Sequence, residues 1–311
     1  MAVAREDNGS WSMAAPEPVG DVASLPERLL GRAQGGPVAL GLDLPLGLPR
    51  AFVARHLPGV LDFPAFLASL PGRPDFLRVS ETLDEVSPSR PFFPRANPPG
   101  LNRTAHAAAL GFETFAALSR PCDRATSERP AGASLFWTLG ANQSGKAAIS
   151  AWRDLLLPAR HPALRLWPFD GNFRALLAPG RVAVAETYPA EAMRQLGIRL
   201  TGSKRTHAVR QAVAPALLAA CDRLGVAPAT AAIEDGFGAD PAGEDRLDCV
   251  LGLLCVIGVL RGVRPDGIPP DRWLRRWEGW VLGQTALPAG FTPGNDDPLD
   301  SRYAGCVRQL V

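Results

Sequence analysis

The sequence predicts an α/β fold, a mixed sheet flanked by helices and carrying a large helical, loop-rich insertion. Three observations point to it. Two apolar runs, PVALGLDLPLGLP (37–49) and RVAVAETYP (181–189), read as buried strands, each ending in a carboxylate and then a proline. Helical spacing follows the second run in successive segments. Between the runs, residues 50–180 are dense in proline, with five in SPSRPFFPRANPPG (87–100) alone.

The elements follow in order. Residues 1–19 predict a β-hairpin, because MAVAR and WSMAA flank EDNGS and Asn8-Gly9 is a strong turn signal. Residues 21–34 carry helical spacing, with Asp21 as N-cap. Residues 37–49 form a buried central strand with Asp43 at its carboxyl end. Residues 50–180 are an insertion within a single domain spanning 1–311, with helical pieces such as 104–119 and no second independent core. A strand over 181–189 ends in Glu186, and a short helix over 189–197 begins with proline and ends at glycine. A longer helix covers 201–225 with Ser203 as N-cap. A helix over 243–262 opens on an acidic turn, and DRWLRRWEGWVL (271–282) predicts an amphipathic helix.

Composition excludes several classes. The net charge of +2 is too small for a wholly basic nucleic-acid binder, although a local basic groove is compatible with it. The five cysteines include no C-x-x-C pair and read as reduced thiols of a cytoplasmic protein. The first residues lack the apolar core of a signal peptide. The longest apolar run, CVLGLLCVIGVL (249–260), is too short to span a bilayer, so no membrane partner is expected. His56, His106, His161 and His207 form no H-x-x-x-H pair, which argues against a zinc site and a Ser-His-Asp triad.

The chemistry-bearing residues lie at element ends. Open α/β sheets place their sites at the carboxyl ends of strands, where Asp43 and Glu186 fall. Asp245 and Asp248 are three apart and share one helical face. Four carboxylates on one rim suit Mg²⁺ or Mn²⁺, which take oxygen ligands and leave positions open for substrate phosphates. Capping and helix-dipole roles compete for the same residues. Only two lysines occur among 33 basic residues. Lys204 and Arg205, next to Ser203 at a predicted helix start, suit an anion. Lys146 completes Gly140-x-x-x-x-Gly145-Lys146, the beginning of a P-loop, but Ala147 stands where a Ser or Thr would hold Mg²⁺. Lys146 is then a phosphate contact or a loop holder. Trp273, Trp277 and Trp280 follow helical spacing and are expected to pack rather than stack on bases.

Three stretches together, VALGLDLPLGLP, VAVAETYPAEAMRQLG…TGSKRT and EDRLDCVLGLL, resemble the family of predicted RNase H-like nucleases, domain of unknown function 429. The resemblance covers most of the chain, more loosely over 50–120 and the C-terminal tail. It implies an RNase H-like mixed sheet that opens with three antiparallel strands, and divalent-metal chemistry on nucleic acid. Asp43 matches the acidic residue on the fourth strand of such folds. Asp245 and Asp248 match the acidic pair on the closing helix, and Glu186 is an auxiliary carboxylate. One departure stands out: the hairpin at 1–19 matches strands two and three, and the first strand with its Gly-x-Asp is expected to be missing. Gly41-Leu42-Asp43 has that form, but the sequence after residue 50 offers helical spacing instead of the required hairpin. A misplaced start, or an inactive short form, is the expectation.

The sequence thus leads to a Mg²⁺- or Mn²⁺-dependent nuclease or phosphodiesterase acting on nucleic acid or a nucleotide. Asp43, Asp245 and Asp248 hold the metal, Glu186 assists, and Lys204, Arg205 and Lys146 hold substrate. The alternatives are a non-catalytic scaffold that binds nucleic acid or protein, and a P-loop phosphotransferase.

Overall fold

The structure, a computed structural model, describes residues 1–97, 102–140, 144–157 and 161–294. Its elements run β1 (Ala4–Asp7), β2 (Ser10–Met13), α1 (Leu25–Arg32), β3 (Val38–Leu42), α2 (Arg50–His56), α3 (Phe63–Ser69), α4 (Arg103–Ala109), α5 (Ser144–Ala151), β4 (Leu164–Leu166), β5 (Val182–Glu186), α6 (Pro189–Leu196), α7 (His207–Ala212), α8 (Ala214–Arg223), β6 (Val226–Ala227), α9 (Thr230–Glu234) and α10 (Gly243–Leu260). The class is mixed α/β as predicted. The strands form two three-stranded sheets, ordered β1-β2-β6 and β3-β5-β4.

The hairpin forms where Asn8-Gly9 predicts it. These residues take φ values of 51° and 83°, the left-handed pair that a two-residue hairpin turn requires. β1 pairs antiparallel with β2, and β2 pairs parallel with β6, a strand too short to leave a sequence signal. α1 begins at Leu25 instead of residue 21, and Asp21 accepts a hydrogen bond from the Ser24 amide in the preceding turn.

The strand over 37–49 is real but shorter, and it is not central. β5 occupies the centre, with β3 and β4 parallel on either side. All five residues of β5 are buried, whereas all five of β3 are only half-buried. Among the described residues β3 pairs only with β5, so one edge of an apolar strand is left without a strand neighbour.

Two predicted helices are also revised. The helix over 201–225 splits into α7 and α8, because Pro215 has no amide to donate to the Gln211 carbonyl four residues back and its ring crowds that carbonyl. Its start moves to His207 with Thr206 as N-cap, and Ser203 caps no helix but accepts from the Arg205 amide in the preceding turn. The 271–282 segment makes a single wide π-helical turn, Leu274–Glu278, and ends at Gly279, whose φ is 67° and whose amide donates to the Leu274 carbonyl. Trp273, Trp277 and Trp280 are buried, so packing is their role.

β5 organises the core through its period-two alternation. Val182 and Val184 face the largest apolar cluster, which the 50–180 segment dominates through Phe52, Phe66, Phe76, Phe92 and Phe136. Ala183 and Ala185 face a second cluster with Val256 and Val259 of α10. Close approach of α10 to β3 depends on Gly41. A Cβ there would lie 2.8 Å from the Thr187 side chain and 3.0 Å from Val256. That approach brings the acidic first turns of α10 to the end of β3.

Candidate active site at the carboxyl end of the parallel sheet

β3 and β5 run parallel with Leu42 opposite Glu186, so Asp43 and Glu186 leave the sheet at the same end. α10 delivers Glu244, Asp245 and Asp248 from its first turns. The connection from α6 to α7 delivers Lys204 and Arg205. The Lys204 ammonium donates to Asp248 Oδ2 and lies 3.6 Å from a Glu244 oxygen. Arg205, largely exposed, lies 3.2 Å from the other Glu244 oxygen. Asp248 Oδ1 is buried with no hydrogen-bond partner among the described residues.

The electrostatics join these groups into one rim. Asp43 is exposed at the surface, while the protein atoms around its carboxyl still desolvate it. Its pKa is pushed up to about 7, first by burial and then by the charge of Asp248; Lys204 opposes this, and Glu186 and Asp245 add to it. Water on the exposed face screens part of the repulsion. Asp248 is raised by burial, against the pull of Lys204 and with a push from Glu244 and Asp245. Burial works against the Lys204 ammonium, but Asp248, Glu244 and Asp43 together outweigh it, and its pKa rises. Tyr188 is half-buried beside the rim and raised mainly by burial; Asp43 and Lys204 act on it in opposite senses.

Glu186 faces a different environment. Arg120, fully buried, donates to both Glu186 oxygens at 2.7 Å and to both Asp123 oxygens at 2.7 and 2.9 Å. The Leu46 amide donates to Glu186 Oε2 at 2.8 Å. Cys122, Asp123 and Glu186 offer ligand atoms within 4.8 Å of one another, a group that could hold a metal ion. Arg120 already hydrogen-bonds both carboxylates, and burial pushes the Cys122 thiol well up, so a cation there would have to displace the guanidinium. Asp43, Asp245 and Asp248 do not close into a group of that tightness.

Of the sequence-predicted site residues, the structure thus brings Asp43, Asp245, Asp248, Lys204 and Arg205 to one rim. Glu186 lies beside it, engaged with Arg120. The anion site proposed at a helix start is corrected: Lys204 and Arg205 precede α7 in a turn and are held by carboxylates. Lys146 sits in α5 and forms no ion pair with the rim among the described residues. Residues 141–143 of the P-loop-like stretch lie outside the described residues. Gly145 has a packing reason of its own, since a Cβ there would stand 2.3 Å from the Leu135 carbonyl oxygen. Sequence reasoning missed Glu244, although its i,i+4 relation to Asp248 marks the same helical face. It also missed Arg120, which nothing in the local sequence SRPCDR (119–124) distinguishes from the other arginines.

The chain matches no protein-family model, and comparisons with curated proteins and with solved structures return no match either. No helix among the described residues is long and apolar enough to cross a membrane.

Proposed function

We propose that the protein is a divalent-cation-dependent phosphodiesterase acting on nucleic acid or a nucleotide, with an RNase H-like arrangement of its parallel strands and closing helix. The observation that carries this reading is that the end of β3, where Asp43 follows Leu42, and the acidic start of α10, with Asp245 and Asp248, are packed at one end of the parallel sheet although about two hundred residues separate them in sequence. Isolated surface carboxylates have no physical reason to gather, and their mutual repulsion favours a cation among them.

The donor chemistry of the rim suits Mg²⁺ or Mn²⁺, although its carboxylates would have to draw closer to share an ion. The donors are hard oxygens, one of them, Asp248 Oδ1, lacks a partner, and Asp43 is held against like charge. Asp43, Asp245 and Asp248 would hold the ion, which when bound polarises a phosphoryl oxygen and acidifies water. Lys204 and Arg205 would bind the phosphodiester anion and orient it. Glu186, through Arg120, fixes the end of β5 on which the rim is built. The likeness to the predicted RNase H-like nucleases rests on an acidic residue after β3 and an acidic turn opening α10; the N-terminal hairpin lies in the other sheet, with β6, and does not add to it.

A second reading, a non-catalytic scaffold for nucleic acid or protein, has one observation in its favour. The rim carboxylates are not drawn together as tightly as those around Arg120. The two readings separate on one assay. Single- and double-stranded DNA, RNA and a generic phosphodiester are incubated with Mg²⁺, with Mn²⁺ and with chelator. The enzyme reading expects cation-dependent cleavage that Asp43→Asn and Asp248→Asn each abolish. Cleavage that survives both substitutions, or none with any substrate, overturns it.

A further inference from the structure

We infer that Lys204 is a tethered counter-ion: it holds the place of the divalent cation in the rim and turns to the substrate anion when that cation binds. The inference rests on the phosphodiesterase reading of the rim.

Three observations carry it. The first is the balance of charge. Among the described residues the ion pairs of the group Asp43, Glu244, Asp245 and Asp248 are made by two cations, Lys204 and Arg205, and Arg205 lies mostly in water beside Glu244. Lys204 is therefore the cation set among the inner carboxylates, bonded to Asp248 and close to Glu244. The second is incomplete satisfaction. An ammonium is a compact single charge, and here it engages Asp248 Oδ2 while Asp248 Oδ1 stays buried and unpartnered. By contrast, every oxygen of the Arg120 network has a donor. A divalent ion accepts more oxygen ligands than Lys204 engages here and would compete for Asp248 on favourable terms.

The third is how Lys204 is anchored. Its carbonyl accepts from Arg210 Nη1 at 2.8 Å, and the neighbouring Arg205 carbonyl accepts from the same nitrogen at 2.9 Å. Arg210 is itself buried and bonded to the Gly236 carbonyl at 2.8 Å. The main chain at Lys204 is thus pinned, while its side chain is only half-buried and ends in a single ammonium. A side chain with a fixed root and a displaceable head exchanges partners without any change of fold. With a divalent ion held by the carboxylates, like charge would push the Lys204 ammonium outward, where it would bind a phosphodiester anion. Cation and substrate would then bind in order, the cation first.

This view predicts the opposite sign from a simple substrate-binding lysine. Mn²⁺ binding is measured by calorimetry on the whole chain, for wild type, Lys204→Met and Lys204→Arg, with thermal midpoints confirming that each is folded. Lys204→Met is expected to bind Mn²⁺ about tenfold more tightly. Lys204→Arg, which keeps the charge, is expected to stay within about twofold of wild type. With Mn²⁺ saturating, Lys204→Met is expected to bind a dinucleotide more weakly than wild type does. Unchanged or weaker Mn²⁺ binding in Lys204→Met overturns the counter-ion role and leaves the phosphodiesterase reading standing. Equal tightening in both variants overturns it too, since the cause would then be space, not charge. Unchanged dinucleotide binding overturns the exchange of partners. Absence of Mn²⁺ binding in all three proteins removes the functional reading together with the inference.

Discussion

Two clusters of charge sit at the same end of the parallel sheet and have opposite characters. Around Arg120, two carboxylates share one guanidinium in a setting closed to water, and each of their oxygens receives a hydrogen bond. Around Asp43, among the described residues, the ion pairs of a group of four carboxylates are made by one lysine and one exposed arginine, and one buried oxygen has no hydrogen-bond partner. The residue types are alike. What differs is completion. A closed, matched network fixes geometry, and its loss is felt as instability. An open, over-charged rim carries unrelieved repulsion, and only a ligand relieves it.

The comparison breaks most visibly at Arg120. Arg120→Met leaves Glu186 and Asp123 buried without their counter-charge and is expected to cost about 3–5 kcal/mol of stability. Urea denaturation measures the loss. Adding Glu186→Gln to Arg120→Met removes one stranded charge and should recover part of it, a non-additivity that distant sites do not show. If Arg120→Met costs less than about 1 kcal/mol, the network is not the structural member of the pair.

Asp43 sharpens the contrast by moving stability the other way. Its folded pKa is about 7 against an ordinary 3.8, so the folded state keeps a proton that the unfolded chain releases earlier. Stability from this group is therefore full at low pH and is lost as pH rises from about 4 to 7. Asp43→Asn should be more stable than wild type at pH 7.5, by about 1 kcal/mol once water on its exposed face is allowed for, and the gain should vanish near pH 3.5. Glu278 has the same sign, raised by burial to about 7 from 4.5 while it accepts from the Arg50 amide at 2.8 Å. Glu278→Gln tells the two apart, because it removes its own part of the slope and leaves that of Asp43. Thermal midpoints across this pH range are the measurement. A gain for Asp43→Asn that does not change with pH would mean that its carboxyl is not crowded.

Local signals in the sequence reach one of these clusters further than the other. Asn8-Gly9, Pro189 and the acidic opening of α10 are rules written within a few residues, and the hairpin, α6 and α10 follow them. The positions of Asp43, Asp245 and Asp248, after a strand and on the first turns of a helix, were legible for the same reason: strand ends and helical spacing are local. The Arg120 network was not, because its members at 120, 123 and 186 meet only through the fold of the 50–180 segment. The edge position of β3 was hidden as well. An apolar run states that a strand will be buried but not which strand pairs with it, and β4, with three residues, gave no periodicity to read. Pro215 was visible, yet the helical spacing around it outweighed the break it makes.

The smallest expected effect is at Arg205, and it tests where the functional rim ends. Arg205 pairs with Glu244 at 3.2 Å, but more than two thirds of its side chain is exposed. Water screens such a pair, and ordering two long side chains offsets much of the attraction. Arg205→Ala should therefore change stability by less than about 0.5 kcal/mol. Its effect on substrate should be distinct. An exposed cation at the mouth of an acidic rim acts by steering an anion, so dinucleotide binding should weaken slightly and lose part of its salt dependence. Binding measured between low and moderate salt, wild type beside Arg205→Ala, separates the two. A shallower salt slope with unchanged stability places Arg205 at the outer edge of the rim. An identical slope confines the rim to the carboxylates and Lys204, and a stability loss near that of Arg120→Met would erase the distinction between the two clusters.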